Sequence, residues 1–124
     1  MINRRDASKL VFAASAAALL PLPSLAQSQA ERERILGLWK KRLQKEMNRS
    51  LARGCAGTFT VLDFQYIPGR GSLEMICVIR LDWPPGFRVR RYAQQGADAE
   101  TVYQAMKGEA LAHFGGAWPN CVAA

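Results

Sequence analysis

The stretch Leu73-Glu74-Met75-Ile76-Cys77-Val78-Ile79-Arg80-Leu81-Asp82-Trp83 carries an apolar residue at every odd position. Leu73, Met75, Cys77, Ile79, Leu81 and Trp83 therefore share one face of a strand spanning 72–83. Glu74, Arg80 and Asp82 fall on the other face, with Ile76 and Val78 between them. One greasy face and one mixed face mark an antiparallel strand covered on a single side. Pro84-Pro85-Gly86 must turn the chain, and a third strand runs from Phe87 to about Ala93. A three-residue loop would set Trp83 opposite Phe87, Asp82 opposite Arg88 and Leu81 opposite Val89. An aromatic pair and an ion pair favour that register, although it also sets Arg80 against Arg90.

Upstream, Thr58-Phe59-Thr60-Val61-Leu62-Asp63-Phe64-Gln65-Tyr66 is rich in β-formers and predicts a strand over 58–66. Leu62, Phe64 and Tyr66 are expected on its inner face. Ile67-Pro68-Gly69-Arg70-Gly71 predicts the turn that joins it to the next strand.

Both flanks read as amphipathic helices. Over residues 30–52, Ile35, Leu36, Trp39, Leu43, Met47 and Leu51 recur at spacings of three and four. Glu31 and Glu33 precede the cations, as the helix dipole favours, and Gly54 is the expected stop. Over 99–114, Val102, Met106, Ala110 and Phe114, with Tyr103 and Leu111, form a second stripe. Asp98 is its expected N-cap and Gly115-Gly116 its expected end. The order is α-β-β-β-α. A three-stranded antiparallel meander needs its apolar face covered, and two helices on that face do so. The predicted fold is an α+β two-layer sandwich. Its open sheet face is expected to carry Glu74, Arg80, Asp82, Arg88 and Arg90, with Ile76 and Val78 exposed near the centre.

The first 26 residues stand apart. Arg4, Arg5 and Lys9 form a positive start, Leu10 to Leu20 is an Ala-rich apolar run, and Ser24-Leu25-Ala26 has the small-x-small form of a signal-peptidase site. The apolar run is shorter than the roughly 20 residues that span a bilayer. Asn3-Arg4-Arg5-Asp6-Ala7-Ser8-Lys9 resembles a twin-arginine export signal, with Ala7 and Ser8 where larger apolar residues are usual. A Sec signal and an uncleaved anchor are the alternatives. Cleavage would leave a single domain, 27–124, in the periplasm. It would remove three positive charges and one negative charge, taking the net from +7 to +5. A chain of this size supports one modest core, which excludes a multidomain enzyme.

Chemistry-bearing residues are few. Cys55, Cys77 and Cys121 show no Cys-x-x-Cys spacing, so no zinc knuckle, haem attachment or redox dithiol is encoded. Cys77 reads as a core residue. In an oxidising compartment Cys55 and Cys121 are the expected disulfide. His113 is the only imidazole, and a helix-end position in water is its ordinary role. A Cys77/His113 thiol or hydrolytic enzyme is the reading from a different class. Asp63, Glu74 and Asp82 each have an arginine as a plausible neighbour, which fits structural ion pairs better than paired-carboxylate catalysis. Gly69-Arg70-Gly71 is a turn and not a phosphate cradle. No metal or cofactor is expected.

The cationic surface is the most suggestive feature. From Arg32 to Arg53 the first helix carries eight Lys and Arg, against Glu31, Glu33 and Glu46. Lys40, Lys41, Arg42, Lys45 and Arg49, joined by Arg88 and Arg90, are the candidate binding residues. Such a surface suits an anionic polymer or a membrane surface. Nucleic acid fits less well, because aromatics do not interleave with the cations.

The run from Cys77 to Trp83, the Pro-Pro-Gly turn, Phe87-Arg-Val-Arg-Arg-Tyr92, then Gln95-Gly96-Ala97-Asp98 and an Ala-rich helix resembles the C-terminal domains of the TolA and TonB envelope proteins. It covers residues 77–112. The resemblance implies a periplasmic module that offers a sheet edge or face to another envelope protein, without catalysis. The membrane anchor and long linker of those proteins have no counterpart in the pattern, so energy transduction does not carry over.

Overall fold

The computed structural model describes residues 20–83, 85–117 and 122. It is an α+β fold of five elements: α1 (Gln29–Arg49), β1 (Thr58–Pro68), β2 (Leu73–Trp83), β3 (Gly86–Gly96) and α2 (Ala99–Ala117). The strands form one antiparallel sheet in the order β1-β2-β3. Met75, Cys77, Ile79 and Leu81 of the central strand are fully buried. They share one core with Ile35, Trp39, Leu43 and Met47 of α1 and with Val102, Tyr103, Met106, Ala110 and Phe114 of α2. Both helices therefore lie on the same sheet face. Burying a Leu, Ile or Met side chain contributes roughly 1.5–3 kcal/mol, so this layer is the main stabilising term.

Local signals set the ends. Ser28 caps α1, its Oγ accepting from Glu31 N at 3.1 Å. Asp98 caps α2 as expected, with Oδ2 accepting from Thr101 N at 2.9 Å and from Thr101 Oγ1 at 2.8 Å. Helix α1 stops at Arg49, before the predicted end, and Gly54 makes a turn further on with φ of 87°. Helix α2 runs through Gly115 and Gly116 to Ala117. Phe114 is fully buried there and meets Phe59 edge-on at 5.2 Å. That packing outweighs the roughly 1 kcal/mol that each glycine costs a helix. Beyond it, Val122 is buried and bridges to Leu51.

Three sequence expectations about facing and exposure are corrected. In β1 the pairing slips between Val61 and Asp63, so Leu62 is the extra residue of a bulge. Phe59, Val61 and Phe64 point inward, while Leu62 is 45% exposed. In the second hairpin Trp83 pairs with Gly86, Asp82 with Phe87 and Leu81 with Arg88, one residue away from the predicted register. A one-residue shift turns over every side chain of a strand. Phe87, Val89 and Arg91 thus share the open face with Arg80 and Asp82, and Arg88, Arg90 and Tyr92 share the helix side. Asp82 accepts from Arg80 Nε at 2.8 Å instead of from Arg88, and the Arg80 guanidinium lies 4.2 Å from the Phe87 ring centroid. Ile76 is buried, not exposed.

The entry to α2 accounts for the register. A Cβ at Gly96 would sit 3.0 Å from Val102 Cγ2, so the chain turns into the helix with Gly96 pressed inward. Tyr92, four residues earlier, is then inward too, where it meets Phe114 at 6.1 Å.

Side chains of α1 also finish the outer edge of β1. Asn48 Oδ1 accepts from Phe59 N at 2.8 Å, and Asn48 Nδ2 donates to Phe59 O at 2.9 Å. Gln44 Oε1 accepts from Val61 N at 3.0 Å. One amide side chain stands in for a neighbouring strand residue. We predict that Asn48→Ala lowers unfolding free energy by about 1–3 kcal/mol, because two half-buried backbone groups lose their partners. Urea titration checks this, with exposed Arg49→Ala as a control that changes stability by less than about 0.5 kcal/mol.

An ionic cluster ties the two helices. Arg42 grips Glu100 through two bonds of 2.8 and 2.7 Å and reaches Glu46 at 3.1 Å. Its guanidinium lies 4.1 Å from the Tyr103 ring centroid. Glu46 Oε1 also accepts from Tyr103 Oη at 2.7 Å and Lys107 Nζ at 2.9 Å. Burial opposes the charged form of Glu46, but the bonds from Tyr103, Lys107 and Arg42 outweigh it and hold the carboxyl below its usual range. The bond from Arg42 does the same for Glu100. Both groups thus bind protons less readily folded than unfolded. Their contribution is complete above the ordinary carboxylate value of 4.5 and is lost as pH falls through the lowered folded values. Stability measured by denaturant between pH 6 and pH 3 should fall, and Glu46→Gln should flatten that fall.

Candidate functional site

The predicted binding residues separate into three settings. Lys40, Lys41 and Lys45 of α1 stand around a shallow depression of ≈ 430 Å³, completed by Gly37, Gln44 and Asn48. Among the described residues no carboxylate lines it. Gly37 leaves open space where a side chain would stand. Lys41 and Lys45 also border a second hollow of ≈ 390 Å³ with Leu20, Leu38, Arg42, Glu46 and Arg49. Arg42 faces the helix pair and is committed to Glu100 and Glu46, which sets it apart from Lys40, Lys41, Lys45 and Arg49 among the predicted binding residues of this helix. Helical spacing explains the division: Arg42 lies beside Trp39 and Leu43 at the margin of the buried stripe, while Lys41 and Lys45 lie on the far side.

Arg88 and Arg90 belong elsewhere. Helix α1 packs on β1 and α2, and α2 packs on β3 and β2; α1 does not touch β3. The structure therefore does not join the strand arginines to the lysines of α1. They sit on β3 with Arg91, and all three are exposed. Arg90 Nη2 meets His113 Nε2 in a short contact, and His113 Nδ1 lies 3.2 Å from Tyr92 Oη. Gln94 donates to Glu109 at 2.9 Å on the same side. These bonds lash β3 to α2 through side chains.

The edges of the sheet differ. Phe59 offers both its N–H and its C=O outward to Asn48, so its pairing partner Leu81 must aim its own backbone groups at β3. The alternation continues along β2. Arg88, Arg90 and Tyr92 then bond to β2, and Phe87, Val89, Arg91 and Ala93 aim their backbone groups away from the sheet. Among the described residues, strand β3 pairs on one side only, with β2. Phe87 is 57% exposed and Val89 40%, so this rim also presents apolar surface.

Cys77 sits in the middle of the core opposite Tyr92. Burial, reinforced by the charges of Glu109 and Asp63, pushes its thiol up to about 12. A thiolate nucleophile is not available there at neutral pH. Tyr92, pushed up to about 12 chiefly by burial, bonds to His113, so the imidazole is engaged by Tyr92 and Arg90. Of the three acidic residues expected beside an arginine, Asp82 holds Arg80, whereas Asp63 accepts from Gln65 at 2.9 Å. Among the described residues no group of three or more His, Cys, Asp or Glu is placed to hold a metal ion. Among them, too, no helix is long and apolar enough to cross a membrane.

Gln44 and Asn48 were not legible as edge-binding residues. Their only sequence signal is a pair of amides four apart on a helix otherwise lined by cations. Arg91 was missed because the expected register turned it inward. Cys121 of the expected disulfide lies outside the described residues, as do residues 1–19 of the export signal.

Compared with protein-family models, curated proteins and solved structures, the chain matches none of them.

Proposed function

We propose that the protein is a small exported binding module, acting in the periplasm without catalysis, whose partner adds a strand to the outer edge of β3. One observation carries this reading. The sheet has two edges, and α1 occupies β1 at Phe59 and Val61, while among the described residues nothing pairs with the outer flank of β3. Added strands gain affinity from main-chain bonds and selectivity from side chains. Arg88, Arg90 and Arg91 select an acidic segment from another envelope protein, through opposite charges on neighbouring strands. Edge arginines also discourage self-pairing, which keeps the flank available for a partner.

Val89→Pro tests this reading. It removes one outward N–H and leaves the bonds to β2 in place, so stability should change by no more than about 1 kcal/mol. Capture of the partner from a periplasmic extract should be lost with this variant and should weaken only modestly at raised salt, because main-chain bonds carry the affinity and the exposed charges only the selectivity. A second reading has its own support, in the three lysines around a depression lined by no carboxylate. Under it the ligand is an anionic polymer or membrane surface. Capture would then survive Val89→Pro, fall steeply with salt, and disappear in Lys40→Gln/Lys41→Gln/Lys45→Gln.

The oxidising compartment also frames the cysteines. Val122 bridges to Leu51, which draws the end of the chain toward the segment that holds Cys55. A Cys55–Cys121 bond would close about 66 residues and stabilise the fold by about 4 kcal/mol. Intact mass of the exported protein should be about 2 Da below the reduced value. Alkylation without reductant should label no cysteine in the native state and Cys77 alone after denaturation.

A further inference from the structure

Residues 20–27 do not hang free of the domain. Leu20 packs against the core, and Trp39 Nε1 donates to Pro21 O at 2.8 Å. Arg32 Nη1 donates to Gln27 O at 2.6 Å and reaches Ser24 O at 3.4 Å. Pro23, Ser24 and Leu25 face Arg32, Tyr66 and Pro68 across a hollow of ≈ 170 Å³. The end of the leader is thus a strap seated on Trp39, between α1 and the far end of β1.

The strap also ends in the expected processing site. Ser24 and Ala26 are exposed, and Leu25 is 88% exposed. Cleavage after Ala26 would release the leader and with it the acceptor of the Trp39 indole. An indole N–H at the edge of a core requires a partner, and the apolar surface under Leu20 would lose its cover. The sequence of the strap defines what fits. In Leu20-Pro21-Leu22-Pro23 two prolines fix an extended backbone and leave carbonyls free to accept. A flat aromatic with a donor at its rim is the usual receptor for such a segment.

We propose that the Trp39 surface is a peptide-binding site that the leader covers before processing. Its ligand after processing is a proline-containing extended segment of a partner protein. While attached, the strap holds the site at an effective concentration in the millimolar range, so an external segment is excluded. Removal of the leader and gain of this binding function are one event. The site is separate from the β3 edge and does not depend on it.

The test uses the exported protein, with its first residue set by intact mass, beside the full 124-residue chain made without export. The probe is a fluorescent synthetic peptide with the sequence of residues 20–25, read by anisotropy. Processed protein should bind it at least about tenfold more tightly than the full chain. An ester in place of the Pro21–Leu22 amide makes the Pro21 carbonyl a weaker acceptor, and should weaken binding about three- to tenfold with no change to the protein. Trp39→Phe should have a similar effect, and Val89→Pro should have none. Equal or absent binding to the two forms overturns the proposal. So does indifference to the ester, or an exported chain whose mass still includes residues 1–26. The mass alone separates a failure of processing from a failure of recognition.

Discussion

A backbone N–H at the rim of a sheet must find an acceptor, and among the described residues a helix meets that demand on one rim only. Asn48 and Gln44 reach from α1 to Phe59 and Val61 and end the sheet at β1. Helix α2 binds β3 differently. Its contacts are side chain to side chain, through His113, Glu109 and Phe114, and they lie over the strand's inner face. The asymmetry follows from where the helices sit. Helix α1 lies over β1, close enough for amide side chains to turn the edge. Helix α2 lies over β2 and β3, and among the described residues nothing pairs with the far rim.

The same placement orders the charges. Arg42 is drawn between the helices, where two carboxylates and two aromatic rings surround it. Breaking such a cluster leaves a partly desolvated charge behind, so its members are better understood as fasteners than as ligand contacts. Among the described residues, no carboxylate pairs with the lysines on the far side of α1. A single helix thus carries structural and surface cations, separated by its 3.6-residue period.

Much of this was legible in the sequence. Strict alternation from Leu73 to Trp83 gave the central strand and its buried face. The stripe from Ile35 to Met47 and the one from Val102 to Phe114 gave both helices and the side on which they lie. What stayed hidden depended on single-residue geometry. Leu62 looks like any other β-former, and only pairing with β2 reveals that it is surplus. The loop at Pro84 to Gly86 admits two registers, and local charge pairs favoured the wrong one. Contacts of a few tenths of a kcal/mol at Asp82 and Trp83 lost to the burial of Tyr92, an interaction with α2 that no window of sequence around the hairpin contains. The expected binding surface inherits that error. Arg88 and Arg90 were placed on the open face, and their separation from Lys40, Lys41 and Lys45 depends on helix placement that composition does not encode.

Gly96 shows how far such a constraint extends. Its α-hydrogen faces Val102 at a distance where a methyl group would have to push. Asp98 and Glu100 follow within four residues, one starting the helix and the other gripping Arg42. A displacement begun at the end of β3 would travel along the first turn of α2 into the ionic clasp on α1. The smallest side chain in the protein therefore sets the spacing between its two helices, and the sheet is coupled to its roof as if by a lever with its pivot at residue 96.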